Sequence, residues 1–468
     1  MPDPRPEQIQ RLRETQLDVL VLGGGINGAG VIRDLALRAS RTGTALQVGL
    51  VEQRHFASGT SGKNSQLIHG GLRYLKYLQF HLVRESLQER SILLRIAPQY
   101  VKPLEFLLPM YGIKSRLIYG TGLRVYDWLA GADAIAPHRM LGTTEVAQIE
   151  PGLARSGLSA AALFYDCGIV SARFVVENIL DAMASGAFAA NYVRADAWER
   201  QADDVWRVLC TDTLASEQFE IRARKLVDAR GAWSGGDSLR LVRGSHIVIP
   251  RVSASDHAIA HFEPDGRIIF LIPWGSRHQL TLVGTTDEDH QLGPEHVHIT
   301  KPELDYLLGI VRKLFPGLAA VQPVSAFSSL RPLIRERHGS PTSATREHRI
   351  WNSEDGILHI AGGKYTTYRR MSEEAGDLVC REIAPSLATL HVTAERPFAP
   401  AEREIGDALE QRLWDYLFVS TYLGYERRWD VESLMPYGEA LGCKRGWGKD
   451  RVRAEVEAII EASEPAGA

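Results

Sequence analysis

Gly23, Gly25 and Gly28 stand in the order Gly-x-Gly-x-x-Gly directly after an apolar run, Val19 to Leu22, and an acid, Glu52, closes the next apolar run, Leu46 to Val51. Small residues at those three places permit a tight turn, close approach of a pyrophosphate to the backbone, and packing of the following helix on the strand. A helix that opens at such a loop aims its unpaired N–H groups and the positive end of its dipole at phosphate. A carboxylate at the end of the second strand is placed to hold a ribose. A glycine-rich turn alone would need neither the strand nor the acid, so these residues point to dinucleotide binding.

The elements that must position this site follow from periodicity. Val31, Ile32, Leu35, Ala36 and Ala39 recur at helical spacing after the glycines, and Leu82, Val83, Leu87, Ile92, Leu93 and Ile96 mark a helix over 80–96 that Pro98 ends. A further helix is expected over 174–183. The runs 205–210 and 218–221 alternate like a half-solvated hairpin, and 225–229 reads as a short apolar strand that returns to the nucleotide sheet before Arg230-Gly231. From 246 to 286 strand-like runs dominate and predict an antiparallel sheet, and 358–363 reads as a last strand. Near the C-terminus Ile405, Leu409, Leu413, Tyr416 and Leu417 fall on one helical face, as do Val452, Val456, Ile459 and Ile460. Only one Gly-x-Gly-x-x-Gly occurs, so a second, nicotinamide site is not expected.

With 468 residues, 44% hydrophobic and 24% charged, the chain has the length of two or three domains and enough apolar mass for a large core. A net charge of -3 argues against a nucleic-acid partner. Cys167, Cys210, Cys380 and Cys443 are widely separated, which suggests neither a disulfide framework nor a metal cluster. The polar N-terminus has no signal-peptide core and no run is long enough to span a bilayer, so a cytoplasmic protein is expected, with peripheral membrane contact left open.

Seven stretches in order, GGGINGAG (23–30), LIHGGLRYL (67–75), GSHIVIP (244–250), GTTD (284–287), LRPL (330–333), ATRE (344–347) and GGKYTTYR (362–369), carry a resemblance. Over roughly residues 15 to 375 the chain resembles the FAD-dependent, quinone-linked sn-glycerol-3-phosphate dehydrogenases and their oxidase relatives. The resemblance implies an α/β fold of the glutathione-reductase and D-amino-acid-oxidase type. Its parts are a discontinuous Rossmann-like FAD-binding domain (17–98, 161–240 and 340–392), an antiparallel-sheet substrate domain (99–160 and 241–339) and a small helical C-terminal cap (393–468). FAD is the expected cofactor, and no metal is expected.

By the same resemblance Arg73, Tyr74, Thr285, Arg331, Arg346 and Lys364 surround a phosphorylated alcohol. Arginine suits that ligand because its planar guanidinium donates paired, charge-assisted hydrogen bonds to phosphate. His69 is the expected general base, with Lys364 as the alternative and Arg331 beside them. Cofactor contacts are implied for Gly23, Gly25, Ile26, Asn27, Gly28, Glu52, Thr60, Ser61, Ser65, Leu67, His69, Gly231, Trp233, Gly363, Lys364 and Thr366. Gln66, Gly62 and Ser171 depart from the resembled pattern, which has a lysine, a serine and an acid there.

The expected activity is oxidation of sn-glycerol 3-phosphate to dihydroxyacetone phosphate by hydride transfer to the flavin, with electrons passed to quinone. A soluble oxidase that uses dioxygen, a dehydrogenase of a related phosphorylated or phosphonate alcohol, and a non-catalytic flavin-binding protein stay open beside it. An amine or amino-acid oxidase fits less well, because a carboxylate substrate needs fewer cations. A homodimer is not excluded. The run 113–128 sets Lys114, Arg116 and Arg124 beside Leu117, Ile118, Leu123 and Trp128, which fits either a membrane-surface helix or one packed on the substrate domain.

Overall fold

The computed structural model describes residues 3–236, 238–335, 347–399 and 404–463. Among them the strands form one eight-stranded and one ten-stranded sheet. In the first, Leu17–Leu22 pairs in parallel with Val48–Glu52 on one side and with Glu217–Asp228 on the other, and Leu358–Gly362 adds in parallel beyond. Leu17–Leu22 is buried at nearly every position, which is why it reads as a continuous apolar run. The helix Ile26–Thr42 follows at once and presses fully buried Val31, Ile32 and Leu35 into the core, each contributing about 1.5–3 kcal/mol of burial. Gly28 admits no side chain, since a Cβ there would lie 1.9 Å from the Gly23 carbonyl oxygen.

The expected hairpin run over 218–221 and the short strand over 225–229 are one strand, Glu217–Asp228. Its first half alternates exposed and buried residues against Trp206–Asp212, while Lys225 to Asp228 lie buried inside the parallel sheet. The pattern changes because one strand crosses two environments.

The second sheet runs Glu288–Asp289, Leu239–Pro250, Leu280–Gly284, Ile268–Trp274, Ala258–Phe262, Val101–Tyr111, Leu158–Ile169 and Leu67–Ile68, with Ser325–Ile334 also paired along Leu239–Pro250. It is antiparallel over 239–284 as expected, but Ala258–Phe262 meets Val101–Tyr111 in parallel. Alternation gives it two faces. Ile247, Ile249, Ile259, Ile269, Leu271 and Val283 pack under the helix Lys301–Leu314. Their neighbours His246, Ala260, Ile268 and Phe270 line a cavity.

The helix expected from Ile405 to Leu417 is not formed. Gly406 and Leu409 take positive φ, and helical structure begins only at Leu413, where the Asp415 carboxylate accepts the Gln411 and Arg412 amides. Those side-chain bonds satisfy backbone donors outside a helix and so stop the helix from extending backwards. Lys449–Ser463 is helical, with Val452, Val456 and Ile459 buried. Ile113–Ala130 is one continuous helix in spite of Gly120 and Gly122.

Candidate active site

The cavity has a volume of about 480 Å³ and its wall takes residues from both sheets. On the nucleotide-sheet side the wall contains Gly23, Gly25, Ile26, Asn27 and Glu52, followed by Thr60, Ser61 and Ser65 from the loop that joins the sheets and Leu67 from the strand that follows it. Gly231, whose φ is +61, Trp233, Gly363 and Lys364 complete it. Gly28 and Thr366 stand behind the wall. Gly28 packs on Gly23, and Thr366 Oγ1 accepts from the His69 amide at 3.2 Å and reaches the His69 carbonyl at 3.3 Å. Thr366 thereby fixes the backbone that carries His69.

These residues fit a dinucleotide. The helix Ile26–Thr42 begins at Gly25, which has no side chain to cap it, and has no acid in its first turn, so the helix itself supplies no anion to its positive end. Ser61 Oγ takes the Ile26 amide at 2.9 Å. Half-buried Lys63 has its ammonium pKa depressed by desolvation and by Arg54, and both cations lie in the wall. A pyrophosphate would offset their charge. Glu52 accepts the Gly24 and Arg54 amides at 2.7 and 2.9 Å, and burial raises its pKa. The backbone bonds fix that carboxyl in the cavity wall at the end of the second strand.

The cationic residues gather in the same cavity. Arg331 donates to Thr285 Oγ1 at 2.8 Å, to the Thr286 carbonyl at 3.1 Å and to Asp287 Oδ1 at 3.0 Å, while Arg73 Nη1 lies 3.4 Å from Asp287 Oδ2. Lys364 Nζ donates to Ser86 Oγ at 2.7 Å and to the Leu82 carbonyl at 3.2 Å, and stands 4.4 Å from the centre of the Tyr74 ring. Burial brings the Lys364 pKa down to about 8, against the pull of Glu85 and Glu347. His69 is held below its usual range by burial and by Lys364, Arg73 and Arg90, with Asp166 opposing. The imidazole is therefore a neutral group beside cations, able to accept a proton. Arg346 and most of the ATRE stretch lie outside the described residues.

Three wall residues were not expected from the sequence, two of them inside motifs that carry the resemblance. Asp287 closes GTTD and braces both arginines. His246, in GSHIVIP, bonds Ser65 Oγ at 2.9 Å and stacks on Phe327, and burial brings its pKa to about 3. Lys63 sits in the serine-rich loop. The glycines of two motifs make this possible. A Cβ at Gly244 would lie 2.4 Å from the Arg331 guanidinium, and one at Gly284 would lie 2.2 Å from the His246 ring. Glycine on neighbouring strands opposite a long polar side chain was the available signal, and register was needed to read it.

Comparison with known proteins identifies the family. Residues 18–369 match the family model of FAD dependent oxidoreductases. The chain is 35% identical over 476 residues to the glycerol-3-phosphate dehydrogenase of Pseudomonas aeruginosa, covering 92% of this chain and 89% of that one. It is 34% identical over 390 residues to the aerobic glycerol-3-phosphate dehydrogenase of Bacillus subtilis, covering 80% and 69%. The crystal structure of the Bacillus halodurans glycerol-3-phosphate dehydrogenase with FAD superposes with a TM-score of 0.77 at 23% identity over 98% of both chains, a likeness of fold. A glycine fingerprint that seats a dinucleotide, a cationic wall beside it and a match over most of the length have one explanation: the chain belongs to the glycerol-3-phosphate dehydrogenase family of FAD-dependent oxidoreductases.

Proposed function

We propose that the protein oxidises sn-glycerol 3-phosphate to dihydroxyacetone phosphate and passes the electrons to a membrane quinone. The observation that carries this reading is that Arg73, Arg331 and Lys364 line one cavity, the two arginines sharing Asp287, with a neutral His69 in the same wall. Several cations converging on one cavity suit a phosphate monoester, which is close to dianionic at neutral pH and accepts charge-assisted hydrogen bonds from guanidinium and ammonium groups.

In this reading the guanidiniums of Arg331 and Arg73 hold the phosphate, and Lys364 adds a point charge from the side of Tyr74. Holding the phosphate fixes where the carbinol carbon lies, which is the entropic part of the rate gain. His69 takes the proton of the secondary hydroxyl at a ring nitrogen, for which a neutral imidazole is needed. Phe106, Phe262, Ile268 and Phe270 give the cavity an apolar wall that keeps bulk water from the reacting carbon. FAD held between the Gly23–Gly28 loop and this cationic wall would supply the hydride acceptor.

The quinone is proposed from the surface of the helix Ile113–Ala130. Its inner face buries Leu123, Tyr126 and Ala130, while Ile113, Leu117, Ile118 and Trp128 stand 65–78% exposed among Lys114, Arg116 and Arg124. An apolar strip with basic flanks suits the surface of an anionic bilayer. No described helix is long and apolar enough to cross a membrane. Phe262, in the cavity wall, stacks on Tyr119 of this helix with centroids 4.6 Å apart, so the exposed strip adjoins the redox cavity.

The test is anaerobic addition of sn-glycerol 3-phosphate to the purified holoprotein. Bleaching of the visible flavin band, with recovery on adding a soluble quinone, is expected. A band that stays oxidised rejects the substrate. Faster recovery in air than with quinone rejects the acceptor and favours an oxidase.

A further inference from the structure

We infer that Tyr422, from the C-terminal region, is a positioning residue for the cofactor: its hydroxyl fixes the back of the loop 57–66, whose front lines the FAD cavity. The family match ends at residue 369, so this group belongs to a part of the chain that the match does not describe.

The loop supplies Ser58, Thr60, Ser61, Lys63, Asn64 and Ser65 to the wall. It consists of turns and bends held by a few backbone bonds, such as those of the Gly62 and Lys63 amides to the Gly59 carbonyl, with no continuous ladder or helix, so side-chain bonds share in setting its shape. At the front, Ser61 Oγ takes the Ile26 amide and Ser65 Oγ meets His246. At the back, Tyr422 Oη donates to the Gly62 carbonyl at 2.7 Å and accepts from the Ala172 amide and from Gln66 Nε2, each at 3.1 Å. A phenolic hydroxyl has one proton to give and accepts through its oxygen, and here both capacities are used. Gln66 strengthens the same point, donating to the Gly62 carbonyl at 3.2 Å and accepting the Ser171 amide at 2.8 Å. Ser171 Oγ lies 3.2 Å from Tyr422 Oη and takes Asn64 Nδ2 at 3.1 Å. Gln66, Gly62 and Ser171, the three departures in the sequence, thus converge on one buried hydroxyl.

Tyr422 is held there with some force. Its φ is +60, a left-handed conformation that a residue with a Cβ adopts only when its surroundings impose it. The ring lies between Trp274 and Tyr425, with centroids 6.0 and 6.3 Å away. At Gly62 a Cβ would come within 2.4 Å of the Ala57 carbonyl oxygen and 3.3 Å of Ala172 Cβ, so the loop already sits tightly on the helix Ser171–Ala184. Removing the hydroxyl leaves the Gly62 carbonyl and the Ala172 amide without this partner in a buried place. The loop would shift to re-satisfy them, and Ser61, Lys63 and Ser65 would move with it.

The experiment compares Tyr422→Phe with Tyr425→Phe, which removes a hydroxyl from the same aromatic cluster without touching the loop. FAD affinity is measured by flavin fluorescence on titration of the apoprotein, and the visible band of the bound flavin is recorded at saturating FAD. Tyr422→Phe is expected to weaken FAD about tenfold, as for one lost buried hydrogen bond, and to shift the band. Tyr425→Phe is expected to do neither. Should Tyr422→Phe not fold, Gln66→Met cuts the network from the loop side and is measured in its place with the same expectation. An affinity within about twofold of the unmodified protein, an unchanged band at saturating FAD, or equal weakening by Tyr425→Phe overturns the inference.

Discussion

Asp287 and Arg331 form an ion pair at 3.0 Å inside the cavity wall, and the second oxygen of the same carboxylate faces Arg73 at 3.4 Å. The carboxylate therefore holds two guanidiniums in fixed relation before any anionic ligand arrives. In Asp287→Asn both cations lose a counter-charge, and an added anion should replace it. We predict that the variant melts at a lower temperature than the unmodified protein and that inorganic phosphate or sn-glycerol 3-phosphate raises its melting temperature by more. Equal shifts in the two proteins would remove Asp287 from the anion site.

The pH dependence should be bell-shaped. His69 works as a base only when neutral, and burial holds its pKa below the usual imidazole range, so kcat/KM should persist through that range and be lost only at more acid pH. The Lys364 ammonium holds phosphate only when protonated, so activity should also fall as pH rises through about 8. Lys364→Met should erase the alkaline limb and raise KM. His69→Asn should lower kcat by about 10²–10⁴-fold with FAD retained. His246, with a pKa of about 3, is neutral across the range, and His246→Gln should leave the acid limb where it was. A moved acid limb in that variant would reassign the base.

Gly244→Ala tests the space that Arg331 occupies. A methyl group 2.4 Å from the guanidinium forces the arginine aside. KM for sn-glycerol 3-phosphate should rise about tenfold or more, corresponding to about 1–3 kcal/mol of overpacking, with FAD content unchanged. Normal steady-state kinetics in this variant would show that Arg331 does not depend on the close fit.

Gly28→Ala acts at the other side of the cavity. Its methyl group would collide with the Gly23 carbonyl and push the helix Ile26–Thr42 off the loop. The purified variant should be colourless, and a full complement of flavin in its absorption spectrum would contradict the phosphate-seating role.

The exposed face of the helix Ile113–Ala130 gives a prediction on partners. Leu117→Glu with Ile118→Glu replaces two outward apolar side chains by acids. Co-sedimentation with anionic liposomes should fall at least about tenfold, while turnover with a soluble artificial acceptor stays unchanged. Undiminished liposome binding would rule out this face as the contact.

The sequence by itself determined the nucleotide strand, its glycine loop, the helix after it and Glu52, because those residues act on neighbours close along the chain and their pattern is periodic. It also determined which motifs carry cations. Tertiary structure alone decided what the cations meet. Asp287 reaches Arg331 and Arg73 because strand pairing sets residue 242 opposite 331 and the chain folds back past Gly284, and no local pattern encodes that register. The C-terminal helix expected from Ile405 onward failed for the same reason. Asp415 satisfies the Gln411 and Arg412 amides, and Asn191, distant in sequence, holds the Leu409 carbonyl, so long-range hydrogen bonds outweighed a helical apolar pattern. Tyr422, which reads as an ordinary aromatic, acquires its place only where two distant segments bring the Gly62 carbonyl, the Gln66 side chain and the Ala172 amide to one hydroxyl.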